Sequence, residues 1–193
     1  GEHSAIFYRT DKFDIVEKGD FWLSETPDKP SVGWDAKYPR ICSWAQLQDR
    51  NTGNTLYFLN THFDHVGKQA RKESACMIVK WIRRHSDCGE TILVGDFNVD
   101  QRSESYRELV KTGFLTDSFE AAPIRMAATG TVNGFDPQRW TGQRIDHVLV
   151  TRGIEVLRYG LLTNPYWSVD CAGNREARLP SDHYPVSVYL TIP

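Results

Sequence analysis

The spacing of apolar and polar positions along the chain changes period several times, and each change marks a different element. Residues 4–9 (Ser-Ala-Ile-Phe-Tyr-Arg) predict a buried strand. Residues 13–16 and 20–23 predict two shorter ones. A stretch rich in Pro, Gly, Asp and Ser over 24–38 predicts a long loop. From 41 to 48, Ile41, Ser43, Ala45 and Leu47 alternate with Cys42, Trp44 and Gln46, the period of a strand. Asn-Thr-Gly-Asn at 51–54 is a turn, and 55–61 returns as the second arm of a hairpin that ends at His62.

Residues 68–85 carry the strongest helical signal, with Ala75, Ile78, Val79 and Ile82 recurring on one face among Lys and Arg. A short apolar strand follows at 91–95. A second helix is predicted over 103–112, opened by Ser103 as N-cap and closed by Gly113. Residues 119–143 read mostly as loop. Strands are predicted at 144–151, 154–162 and 186–192, with a loop over 165–179. Interspersed strands and helices without repeats or an internal linker predict one α/β domain over residues 1–193.

Composition narrows the function classes. The 193 residues are 40% hydrophobic and 25% charged, which suits one globular domain with a real core. A net charge of -2 disfavours tight non-specific binding to long DNA and leaves room for a small phosphorylated substrate. No run approaches the ~20 apolar residues of a membrane span, and no signal peptide is visible. Cys42, Cys76, Cys88 and Cys171 form no C-x-x-C pair, so zinc-ribbon and thioredoxin readings fail. Cys76 sits in the helical pattern as a small buried apolar residue.

Candidate chemistry gathers in four short clusters, each expected at the C-terminal end of an apolar strand or just past it. They are Asn60-Thr61-His62, Gly95-Asp96-Phe97-Asn98, Arg144-Ile145-Asp146-His147 and Ser181-Asp182-His183-Tyr184-Pro185. A strand end is where a rigid sheet can aim a side chain into a cleft. Two residues apart on extended backbone, Asp96 and Asn98 project to one side while Phe97 points into the core. Any one cluster alone is weak, since an Asp after a strand is usually a turn former. His62, Asp64 and His65 also lie close enough in sequence to raise a His-x-Asp-His zinc site, although the Cys/His partners of such a site are missing.

Taken in order, the clusters resemble the endonuclease/exonuclease/phosphatase superfamily, through the strand-G-D-F-N and S-D-H-x-P-V signatures above all. The resemblance spans Ser4 to Leu190. It implies two packed, mostly antiparallel β-sheets flanked by helices, a four-layer α/β/β/α sandwich. It implies a metal-dependent hydrolase of phosphate esters, acting as phosphodiesterase, nuclease or phosphatase. Asp96 would orient and deprotonate the water, and Asn98 would hold the water or a phosphoryl oxygen. His183, oriented by Asp146, would contact the phosphoryl group, and His62 would assist at the leaving oxygen. Arg40 matches a phosphate-contacting position. Asp182, Asp96 and Asn98 would hold the metal, expected to be Mg²⁺ or Mn²⁺ because the donors are oxygens.

The chain departs from the family's pattern at the front. The family begins with a strand ending in Asn and a strand ending in the Glu that is its principal metal ligand, and neither precedes Ser4 here. The expected fold is therefore incomplete at its N-terminus, with a missing segment or a partner chain completing the sheet. The alternative function is a catalytically impaired fragment, or a phosphate- or partner-binding module without catalysis. His147 stands where relatives often carry Tyr, a change expected to alter packing rather than mechanism.

Overall fold

A computed structural model describes residues 3–85 and 89–193. Six strands form the main sheet in the order β1 (Phe13–Trp22), β2 (Ile41–Asp49), β3 (Thr55–His62), β4 (Glu90–Asp96), β7 (Asp146–Thr151) and β5 (Leu115–Asp117). A three-stranded sheet runs β11 (Val186–Thr191), β8 (Glu155–Leu161) and β6 (Ile124–Met126), and β9 (Tyr166–Val169) pairs only with β10 (Arg175–Arg178). Only β3/β4 and β6/β8 run parallel. Helix α1 (Lys68–His85) makes the crossover between β3 and β4. The predicted α/β sandwich is present.

Two apolar clusters hold the layers together. One lies between the main sheet and the helices α1 and α2 (Glu104–Val110), around Leu59, Ile78, Ile82, Leu93, Leu109 and Leu149. Ile78 and Ile82 lie one helical turn apart and are fully buried, so the stripe read from the sequence is the face that packs. The second cluster lies between the two sheets, around Leu47, Leu56, Ile92, Val150, Tyr159 and Leu161. Alternation along β3 sends Leu56 and Phe58 to this side and Tyr57 and Leu59 to the helices. Leu157 and Tyr189, on the three-stranded sheet, stay exposed. No described helix is long and apolar enough to cross a membrane.

Several expectations are corrected. Residues 4–9 form no strand. Ser4 is buried, Ile6 and Tyr8 pack on the inter-sheet core and Phe7 is exposed, so the alternation is real but no ladder forms among the described residues. The two short strands predicted near residues 13 and 20 are one strand, interrupted by a register shift between Ile15 and Glu17. The 165–179 loop contains the β9/β10 hairpin, closed by Asp170 accepting from the Ala172 and Asn174 backbone N–H groups. The 119–143 loop holds β6, and the short helix α3 (Ser118–Ala121) begins just before it. Cys76 is half-buried and donates to Glu108, whereas Cys42 is the buried apolar one. Cys88 lies outside the described residues.

Behind β7 sits a buried polar network that no sequence pattern announced. Asp117 accepts from the Tyr106 hydroxyl at 2.9 Å and the Arg144 guanidinium at 3.0 Å, and faces His147 Nδ1 at 3.2 Å. His147 Nε2 lies 3.2 Å from the Val99 carbonyl, and its ring stacks on Phe97. Arg144 also bonds Glu120 and lies over the Phe119 ring.

Burial acts to raise the Asp117 carboxyl, but His147 and Arg144 overcome it and hold the pKa at about 2. Asp64 is likewise held at about 2, where backbone N–H groups of Gly67 and Val66 outweigh burial. A depressed folded pKa stabilises the protein above the unfolded value and loses that contribution as pH falls. Each carboxylate should therefore contribute about 2 kcal/mol that disappears between roughly pH 4 and pH 2. Denaturant melts at pH 5, 3 and 2 check this, and equal stability at all three would contradict it.

Candidate functional site

β3 and β4 end, and the antiparallel β7 begins, on one line, so Asp146 stands at the N-terminal end of its strand and not at or past a C-terminal end as expected. His62 of β3 pairs in register with Asp96 of β4, and Asp96 with Asp146 of β7. Cross-strand partners project to the same face. All three side chains therefore stand on the face turned toward the three-stranded sheet, at the rim of the inter-sheet core. His62 Nε2 lies 3.3 Å from Asp96 Oδ2. His183 reaches the row from the loop before β11, with Nδ1 2.8 Å from Asp146 Oδ2. Donor atoms of Asp96, Asp146 and His183 lie within 4.8 Å of one another, and this is the one such acidic and His group found among the described residues. They line a cleft of about 450 Å³ whose apolar wall includes Phe58, Val94 and Val148.

The backbone holds this row tightly. Gly95 brings β4 so close to β3 that an added Cβ would lie 2.0 Å from the Thr61 carbonyl oxygen, at a φ of +155°. Gly95→Ala should destabilise the fold by about 2–3 kcal/mol. A thermal melt matching that of the unchanged protein would contradict this. Asn98 adopts a φ of 50°, donates its backbone N–H to Asp96 Oδ1 at 2.8 Å, and its side-chain amide donates to the Phe63 carbonyl at 2.9 Å. Phe97 between them is fully buried against Phe63 and His147, as the spacing predicted, but β4 ends at Asp96 and the backbone turns left-handed at Asn98, so the segment is not the extended one expected.

Thr131, absent from the sequence reading, ties the two halves together. Its hydroxyl accepts from the Ile145 and Asp146 N–H groups at 3.0 and 3.2 Å, and its carbonyl accepts from Tyr184 N–H at 2.7 Å. A buried threonine in a loop carries no sequence signal for that role.

Electrostatics follow from crowding. Burial, then the facing Asp146, push the Asp96 pKa upward, against the Asn98 N–H and the two histidines. The hydrogen bond to Asp146 raises His183 to about 9 despite burial, so its ring is cationic at neutral pH.

Residues 6–183 match the model of the Endonuclease/Exonuclease/phosphatase family. The chain belongs to that family. An endonuclease/exonuclease/phosphatase family protein from Bacteroides thetaiotaomicron is 54% identical, with a TM-score of 0.96 over 100% of this chain and 70% of that one. A mannosyl-6-phosphatase of Bacteroides thetaiotaomicron is 53% identical, with a TM-score of 0.91 over 96% of this chain and 69% of that one. An uncharacterized protein of Acanthamoeba polyphaga mimivirus is 27% identical over 179 residues, 86% of this chain. The chain spans 62% of that relative's length. The family's chemistry is phosphoester hydrolysis.

Not every residue expected from the family pattern joins the row. Asp182 is exposed and outside the 4.8 Å group, and its carbonyl anchors the Asn133 and Gly134 N–H groups. Arg40 is buried, with Nε 3.8 Å from Asp64 and Nη2 3.4 Å from His65, so it is not the surface ion-pairing residue that Arg before a strand usually is. The His-x-Asp-His site does not form among the described residues. Asp64 instead accepts from the Val66, Gly67 and Tyr38 N–H groups, and His65 stacks on Tyr38.

Proposed function

We propose that the chain carries the reaction centre of a divalent-metal-dependent phosphatase whose substrate is a sugar phosphate monoester. The observation that carries this reading is the His62–Asp96–Asp146 row with His183 closing it. The donor set fits a hard cation. Two carboxylates face each other closely enough to raise the Asp96 pKa, and a divalent cation would relieve that repulsion. We assign it to Asp96 and the Asn98 amide oxygen, with Asp182 at the rim. Mg²⁺ or Mn²⁺ bound there would neutralise charge on the phosphoryl oxygens.

The chain's own residues do the rest. Asp96 is the carboxylate at the centre of the row, placed to orient a water and take its proton. Nδ1 of His183 is taken by Asp146, so Nε2 is the nitrogen left to donate to a phosphoryl oxygen. His62, beside Asp96, stands where it can protonate the leaving oxygen.

The sugar assignment rests on two supports. A 53% identical relative is described as a mannosyl-6-phosphatase. The net charge of -2 suits a small anionic substrate better than duplex DNA. Phosphate release from mannose 6-phosphate should exceed cleavage of bis-p-nitrophenyl phosphate, with Mg²⁺ or Mn²⁺ present. Faster cleavage of the diester would overturn the monoester assignment.

A further inference from the structure

A second cavity, of about 610 Å³, opens on the other face of the main sheet, between β1, β2 and α1. Trp44, which lines it, packs with the helix-side cluster, whereas Asp96 lies on the inter-sheet side. β1 and β4 are three strands apart, roughly 14 Å at ordinary spacing. The reaction centre does not use this cavity.

Its walls are aromatic planes. Trp81 is stacked between Phe21 at 6.0 Å and His85 at 3.9 Å, with Trp44 tilted against it at 5.1 Å, so Trp81 backs the wall and the planes it leaves to the cavity are those of Trp34 and Trp44. Trp34 comes in from the loop before β2. None of the three indoles is fully buried. Two local costs are concentrated here. Gly19 sits in the interior of β1, where glycine weakens a strand. An added Cβ there would lie 3.0 Å from the Trp44 indole nitrogen, so the glycine lets the indole lie across the strand. Trp34 holds a φ of 50°, a left-handed conformation that a bulky residue adopts only when its surroundings impose it.

The polar groups are interleaved with these planes. Asp20, Asp28 and Glu73 stand against Lys80 and Arg84, so the charges nearly cancel. That balance does not select an anion or a nucleic acid. The Trp34 and Trp44 indoles suit the apolar C–H face of a pyranose ring, and side-chain carboxylates and amines suit its hydroxyl edge. We propose that this groove is a binding site for neutral pyranose units of an oligosaccharide, separate from the reaction centre.

The assignment comes from the groove's own lining and stands apart from the phosphatase reading. Titration calorimetry with α-mannotriose and with maltotriose, neither phosphorylated, tests it. Saturable binding of at least one, with a Kd on the order of 1 mM, is expected for the unchanged protein. Asp96→Asn should bind equally, since it lies in the other site. Trp34→Gly should weaken binding roughly tenfold, and glycine accepts the φ of 50°, so folding is spared. Trp44→Phe provides a second variant that keeps a ring in place. No saturable binding of either sugar would overturn the proposal, as would binding untouched by both tryptophan substitutions. Failure of the phosphatase reading would abolish phosphate release and leave this binding unchanged.

Discussion

Asp96→Asn is expected to lower phosphate release by about 10³-fold while leaving the fold as stable as before or slightly more so. The amide keeps the shape and can still accept from the Asn98 N–H, so the turn after β4 survives. It cannot take a proton from water. It also removes one of two facing carboxylates whose repulsion and burial already raise the Asp96 pKa. A structural role predicts the opposite pair of results, lost stability with retained turnover. Comparing kcat and the melting temperature of the variant separates the two. Unchanged kcat would remove Asp96 from the chemistry.

Asp117→Ala is expected to cost about 3–5 kcal/mol of stability, a large part of what a domain of this size has. The carboxylate is almost fully buried and serves Tyr106, Arg144 and His147 at once. Removing it leaves a buried guanidinium facing an empty space, with Glu120 as its remaining carboxylate partner. Because β7 carries His147 on one face and Asp146 on the other, loosening the network also loosens the reacting row. Chemical denaturation measures the loss, and a change below about 1 kcal/mol would show that the network contributes little.

How much of this was legible depended on length and on contrast between faces. Helix α1 was read to its exact bounds because eighteen residues repeat one buried stripe. The β2/β3 hairpin was read because its turn residues separate two apolar runs. His62 and Asp96 were recognised at the C-terminal ends of their strands, whereas Asp146 opens β7 and His183 lies in the loop before β11, and the alignment of the four into one row was not read. That alignment depends on the register of a parallel pair joined through α1, which no local pattern encodes. The β9/β10 hairpin was missed because Tyr166, Trp167 and Val169 are all exposed, so no buried face imposes an alternation. β5 and β6 have three residues each, too few for a period to show. The Asp117, Arg144 and His147 contacts and the Thr131 bridge join residues 14 to 53 positions apart. Residue type alone could not have paired them.

The central claim is that Asp96 and Asn98, with Asp182 at the rim and the Asp146–His183 pair beside them, hold a divalent cation used in phosphoester hydrolysis. Paramagnetic broadening of the protein's NMR signals by Mn²⁺ tests it most directly, since it needs neither a substrate nor turnover. The account predicts selective loss of signals from Asp96, Asn98, Asp146 and His183, reversed by EDTA and absent in Asp96→Asn. No selective broadening at these residues, or the same broadening in Asp96→Asn, would contradict it.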